Sequence, residues 1–160
     1  MLVVARHFPG AGRADRAPDS EVATVLKPID SLHRTELLPF FAVTGEADSD
    51  LPQADGVLVS HIRYEALQGT IRTTTKSVSL DPNALQKLLQ EPSLATWEAQ
   101  GGLVVSDNLA SQAVRLFFDP SNQSFDARQV FLSALTAGNH LLMVDGLVNP
   151  EDEAGYLALI

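Results

Sequence analysis

Two basic side chains, Arg6 and His7, follow a short β-branched run, and the chain then breaks at Pro9-Gly10-Ala11-Gly12. That layout places both at the carboxyl end of a strand, where α/β folds do their chemistry. Asp107 has a similar setting: it closes the apolar run 103–106, so its carboxylate stands at the mouth of a buried strand. A plainer reading stands beside this one, in which Ser106 and Asp107 only cap the next helix. His61 ends another such run, 56–60, and a lone histidine is more often structural than catalytic. Other chemistries find no support. Gly10-x-Gly12 is not followed by Gly-Lys-Ser/Thr, so it is not a phosphate-cradling loop, and no dinucleotide fingerprint fits. The four histidines lack zinc-type spacing, and neither a metal nor a cofactor is implied.

The elements that must position these residues follow from hydropathy. Runs 2–5, 56–60, 103–106 and 141–144 are short, apolar and rich in Val or Leu, without clean alternation. Such runs suit parallel strands buried on both faces. Helical segments lie between them. Asp30 is placed to cap a helix running through Glu36 and Leu37 towards Val43. Ser79-Leu80-Asp81-Pro82 reads as a cap with proline at the first helical position, leading into 84–89. Ser124 or Asp126 starts 127–136, which stops at Gly138, and Asn149-Pro150 opens a last helix whose acids favour its positive end. The expected fold is α/β: four parallel βα units in one domain spanning 1–160. Such units make half of an eight-fold barrel, which needs about 200–250 residues when complete. Equally, they make a small open doubly wound sheet, and pattern alone does not choose. Loops 10–28, 46–55 and 63–76 are long and polar, which in compact domains marks function or mobility.

Composition narrows the function classes. With 45% hydrophobic and 19% charged residues the chain reads as globular. A net charge of −9 argues against nucleic acid or an anionic membrane as partner. No apolar run approaches the ~20 residues of a membrane span. Run 2–5 is too short for a signal peptide, although a matured or truncated chain could have lost one, so the compartment stays open between cytoplasmic and exported. Absence of cysteine removes disulfides and thiolate chemistry.

Several segments in order give these residues a context. Arg6-His7-Phe8-Pro9-Gly10-Ala11-Gly12 resembles the Lys-His-Phe-Pro-Gly-His-Gly signature of family-3 glycoside hydrolases of the β-N-acetylglucosaminidase type. Glu36-Leu37-Leu38-Pro39-Phe40 is similar to the family's dLxPFr segment. Ala54-Asp55-Gly56-Val57-Leu58-Val59-Ser60-His61-Ile62 resembles its adaVMvsHi strand. Gly101-Gly102-Leu103-Val104-Val105-Ser106-Asp107-Asn108-Leu109 resembles fdGvviSDDlgm, and 134–144 resembles AlxAGxDlllv. The resemblance covers nearly the whole chain. It implies the second half of a (β/α)8 TIM barrel, from about the fifth strand to the eighth.

The same resemblance implies roles. Asp107 matches the glycosidic nucleophile, and a carboxylate suits retaining hydrolysis because it traps an oxocarbenium-like centre. Arg6 and His7 match the Lys-His pair that holds sugar hydroxyls, with a planar fork replacing the ammonium at Arg6. His61 falls at a pocket-lining position, and Asn108 replaces the family's second Asp. The chain departs from the family at the acid/base: Asp-Ser-His reads Asp19-Ser20-Glu21 here. Either activity is lost or Glu21, oriented by Asp19, serves as general acid, which requires burial or a nearby carboxylate to hold its proton. Asp15 is a substitute for that role. His140 stands where the family has Asp, and His33 reads as surface.

The implied function is retaining hydrolysis of β-linked sugars, of the β-N-acetylglucosaminide or β-glucoside type. The alternative is a non-catalytic carbohydrate-binding or interaction fragment. A half barrel exposes sheet edges, so it is expected to pair with a missing N-terminal half or with itself.

Overall fold

The computed structural model describes residues 1–45 and 52–145. In chain order it contains β1 (Val4–Phe8), β2 (Ala23–Val25), α1 (Ile29–Arg34), α2 (Leu38–Thr44), β3 (Gly56–Val59) and β4 (Ile62–Tyr64). Next come α3 (Glu65–Gln68), a 3-10 turn (Val78–Leu80), α4 (Pro82–Leu89), α5 (Pro92–Ala99), β5 (Leu103–Ser106), α6 (Gln112–Phe118) and α7 (Ala127–Ala137).

Strands β1, β3 and β5 form a parallel sheet in that order, with Val57 opposite Ala5 on one side and Val104 on the other. All four residues of β3 are buried, which is why Gly56-Val57-Leu58-Val59 shows no alternation. The alternation of strand and helix is therefore as expected, but the fourth strand is not a full one. Among the described residues it is a single parallel bridge, Val105 to Leu141. The reason lies in β5, which ends at Ser106. Leu141 still takes the Ser106 N–H at 2.9 Å, but Met143 N–H then donates to the Ser106 hydroxyl at 3.0 Å, and Leu109 N–H reaches the Met143 carbonyl. The ladder runs out of backbone and continues on a side chain and a turn.

The helix expected from Asp30 to Val43 is two helices. Pro39 lacks the N–H that would bond the Thr35 carbonyl, and its ring would occupy that place. The chain breaks at residues 35–37 and restarts with Pro39 in the first turn of α2. Asp30 lies inside α1, whose cap position is Pro28. Helices α4 and α7 start as expected: Asp81 accepts from Asn83 and Ala84 N–H, and Asp126 from Gln129 N–H. Gly138 ends α7 in the left-handed region at φ +109°. Helix α5 and the small parallel pair β2–β4 were not foreseen. The helix expected from Asn149 lies outside the described residues, as does much of the acidic loop 46–55.

The main core packs Phe8, Val57, Val59, Ile62 and Val104 against Leu32, Leu37, Leu85, Leu88 and Leu94. Phe8 and Phe40 meet edge to face, centroids 5.1 Å apart. Trp97 locks the lower end of the sheet: its indole N–H donates to the Ala54 carbonyl at 2.7 Å, and its ring lies so close over Gly102 that a Cβ there would overlap the ring carbons.

Candidate active site

The carboxyl ends of three adjacent parallel strands share one rim. Beyond the named strands the ladder adds two rungs, Ser60 N–H to the Phe8 carbonyl at 2.9 Å and Asp107 N–H to the Val59 carbonyl at 3.0 Å. Residues 6–8, 60–61 and 106–107 are thereby brought to neighbouring strand ends. Arg6 is exposed and His7 half-buried, at a register shift of β1 against β3. The Arg6–His7 and Phe8–Pro9 peptide bonds are both cis.

Asp107 is 7% exposed. Its Oδ1 accepts the N–H of Asn108 at 2.8 Å. Asn108 in turn clamps the turn to the following segment: its Oδ1 accepts from Ala110 and Asp145 N–H, each at 3.0 Å, and its Nδ2 donates to the Asp145 carbonyl at 2.9 Å. The Asn108 amide is thus a two-way clamp, which a carboxylate could not be, having no donor.

His61 lies deeper than a residue facing open solvent. Expected to line a pocket, it is 2% exposed and both ring nitrogens are engaged within the protein. Nδ1 meets the Ser79 hydroxyl at 2.7 Å and Nε2 meets the Asn108 carbonyl at 3.0 Å. Burial pushes its pKa down, although Asp107, the Asn108 carbonyl and Asp19 pull it the other way. The signal was present only as the Val-Ser-His end of a fully apolar strand.

The loop that carries the candidate acid is docked on α6. The Asp19 carbonyl accepts the Ala113 N–H at 3.0 Å, using one of the donors that a helix start leaves without an internal partner. Asp19 therefore comes within electrostatic reach of His61. Glu21 does not follow it. Its side chain is 59% exposed and its Oε2 takes a hydrogen bond from Arg16 Nη1 at 2.6 Å. The burial that a proton-holding carboxyl needs is missing in this arrangement, and no hydrogen bond joins Glu21 to Asp19 or Asp107 among the described residues. Asp15, the other acid of this loop, is bonded to Arg16 and to the Thr24 N–H. Burial works to raise its pKa, but the Arg16 guanidinium and the Thr24 N–H, 2.7 Å from Oδ1, outweigh it and hold the carboxyl below its ordinary range.

Arg6 and His7 line a cleft of about 630 Å³ with Gly10, Arg13, Glu36 and Phe40. Glu36 is the functional candidate that sequence reasoning passed over as a helix residue. It is buried, bonded by the Thr35 hydroxyl and 4.0 Å from Arg13 Nε. Gly10, at φ +128°, lets the chain pass it: a Cβ there would lie 2.6 Å from the Glu36 Cβ. Glu21 and Arg16 line a separate cavity of about 300 Å³ with Arg63 and Phe117, the guanidinium 5.6 Å from the ring centroid. His140 lines a different cavity, with Gln86, Glu98 and Asn139, away from the rim that carries Asp107. Its Nδ1 accepts the Val104 N–H at 3.1 Å and its own N–H returns to the Val104 carbonyl, pinning the chain before Leu141 to β5. His33, expected at the surface, is partly exposed and bonded to Glu91 at 2.8 Å.

Comparison with known proteins places this geometry. No curated protein matches the chain. Among solved structures, a family 3 β-N-acetylglucosaminidase from a Paenibacillus species superposes with a TM-score of 0.75 at 22% identity, over 98% of this chain and 25% of that one. A family 3 glycosyl hydrolase from Mycobacterium smegmatis gives 0.64 at 28% identity, over 99% of this chain and 42% of that one. The β-N-acetylglucosaminidase of Thermotoga maritima gives 0.62 at 24% identity, over 99% and 30%. The chain thus spans between a quarter and about two fifths of these three relatives. The sequence model of the glycosyl hydrolase family 3 N terminal domain matches residues 1–153. With that match running through all three strand ends, the chain belongs to glycosyl hydrolase family 3.

Proposed function

We propose that this chain supplies the nucleophile half of a retaining glycosidase acting on β-linked sugars, of the β-N-acetylglucosaminide or β-glucoside type. The observation that carries the reading is Asp107: a buried carboxylate at a strand end, with one oxygen held by a backbone N–H. Such a bond biases the carboxylate towards one orientation, in which its second oxygen can meet an anomeric carbon.

The reaction is a double displacement. Asp107 attacks the anomeric carbon as the bond to the leaving oxygen breaks, and that oxygen takes a proton from the Glu21 carboxyl. Glu21, then a carboxylate, removes a proton from water, which attacks the anomeric carbon and releases Asp107. Asp19 orients Glu21, and Arg6 and His7 hold sugar hydroxyls. For this to occur Glu21 must exchange Arg16 for the substrate side of the loop. The proposal includes a partner. Leu2 and Val3 just before β1, Val4 at its start and Leu141 beside β5 are exposed apolar residues, suited to further βα units of a completed (β/α)8 barrel.

The test uses the full chain and a 5-fluoro-β-glycosyl fluoride of each sugar type, an activated reagent whose departing fluoride needs no acid. Intact mass and peptide mapping should show one glycosyl group on Asp107, and none in the Asp107→Ala variant. A label on another residue overturns the nucleophile assignment. Sugar binding without any label leaves the non-catalytic carbohydrate-binding reading in its place.

A further inference from the structure

We infer that His61 is a positioning residue for Asp107, acting through a one-way hydrogen-bond relay that runs Ser77, Ser79, His61, Asn108. The inference rests on the reading of Asp107 as nucleophile and adds to it what keeps that carboxylate in place.

The direction of the relay follows from the groups themselves. The Asn108 carbonyl can only accept, so the Nε2 of His61, 3.0 Å away, must carry hydrogen. A buried ring beside no compensating hydrogen-bond acceptor for a second N–H other than a hydroxyl is most stable neutral, which leaves Nδ1 bare. Nδ1 then accepts from the Ser79 hydroxyl at 2.7 Å, and Ser79 Oγ accepts from the Ser77 hydroxyl at 2.9 Å. Ser77, Ser79 and His61 are all buried, so none of these donors has water as a substitute. The relay is anchored at its far end as well. Asn139 Nδ2 donates to the Ser79 carbonyl at 2.8 Å and to the Ala134 carbonyl at 2.7 Å, tying the 3-10 turn to the end of α7.

The near end is where the relay bears on chemistry. The peptide unit of Asn108 has its N–H on Asp107 Oδ1, and the carbonyl of the same residue is held by His61. Fixing that carbonyl limits rotation of the residue whose N–H fixes the carboxylate. Removing the ring would free the carbonyl and let the turn, and with it the carboxylate, reorient. Misplacing a reacting group by about 1 Å costs on the order of a hundredfold in rate.

The experiment has one reading that needs no turnover and one that does. In the full chain, two-bond ¹H–¹⁵N correlation should show His61 as the Nε2–H tautomer. In His61→Phe the Asn108 amide and the Asp107 side-chain carboxyl resonances should shift, and the rate of labelling by the fluoro-glycoside should fall roughly 10- to 100-fold. Sugar affinity should stay within about twofold, because the ring is buried and both its nitrogens are taken by Ser79 and Asn108. His61→Gln, whose amide can donate to Asn108 and accept from Ser79, should recover most of the labelling rate. An Nδ1–H tautomer overturns the proposal. So does a folded His61→Phe variant with unshifted Asn108 and Asp107 resonances. If the parent chain takes no label, the nucleophile reading fails on its own, and the tautomer and resonances still decide the relay. If His61→Phe does not fold, Ser79→Ala leaves the ring in place and removes the donor to Nδ1. It should keep the Nε2–H tautomer, shift the Nδ1 resonance as its donor is lost and move the Asn108 amide, and an unchanged spectrum refutes the relay.

Discussion

Replacing Gly102 by alanine tests how the lower end of the sheet is locked. Gly102 does not occupy the left-handed region, so alanine brings no backbone penalty there, and the whole cost must come from the Trp97 ring. The added methyl overlaps Cδ2 and Cε2, so the indole has to move. Overpacking of this kind costs about 1–3 kcal/mol. Moving the ring also strains its 2.7 Å bond to the Ala54 carbonyl, worth about 1 kcal/mol. The expected loss is therefore about 2–4 kcal/mol, or roughly 5–15 °C in melting temperature for a chain of this size. Urea unfolding followed by far-ultraviolet circular dichroism measures it, and the single tryptophan gives a local fluorescence signal from the same site. The neighbouring Gly101 is the control. It has φ +102° and nothing within 4 Å of its would-be Cβ. Gly101→Ala should cost about 1–2 kcal/mol from backbone strain alone. Trp97→Leu should then relieve Gly102→Ala by at least about 1 kcal/mol and leave Gly101→Ala untouched. A Gly102→Ala variant within about 0.5 kcal/mol of the parent, or strict additivity with Trp97→Leu, would refute the packing argument.

Two further outcomes are expected. Asp126→Ala removes the only side-chain cap of α7 and should lower stability by about 1 kcal/mol, read as a shifted urea midpoint. Because burial lowers the pKa of His61 from 6.5, the unfolded chain binds the extra proton first; stability should be full above about pH 6.5 and decline as pH falls below it. His61→Gln should flatten that decline in urea titrations between pH 7 and 5, and an unchanged slope would show that another group is responsible.

Some of this was legible in the residues. The ends of β3 and β5 were readable because a strand buried on both faces needs an unbroken apolar run, whereas β1 runs on to Phe8 through Arg6 and His7, three residues past the expected 2–5, because it is half-exposed and tolerates polar side chains. The starts of α4 and α7 and the stop at Gly138 were readable because caps are local chemistry. Pro39 was equally visible, yet the break it forces between α1 and α2 was not drawn. What could not be read depends on partners far along the chain. The three-residue strands β2 and β4 carry no pattern of their own and exist only as a pair. Among the described residues the fourth strand is one bridge because Met143 N–H turns to the Ser106 hydroxyl instead of a backbone carbonyl, which its own Leu-Leu-Met-Val cannot report. His61 and Glu21 show the same limit at the site: one is buried by a serine 18 residues away, the other held out by Arg16. Glu36 was hidden because an acid in a helix usually faces water, and only the chain passing at Gly10 covers it.

The clip between Asp19 and Ala113 has an evolutionary consequence. It joins a carbonyl to an amide N–H, so neither side chain takes part. Any residue can stand at position 19, and any but proline at 113, without loosening the loop from the helix that follows Asp107. The residues riding on that loop are thus free to be exchanged while its course is kept. Side chains at positions 20 and 21 can therefore vary while the path of the loop between β1 and β2 is kept. The fold is robust at a place where its side chains are most open to revision.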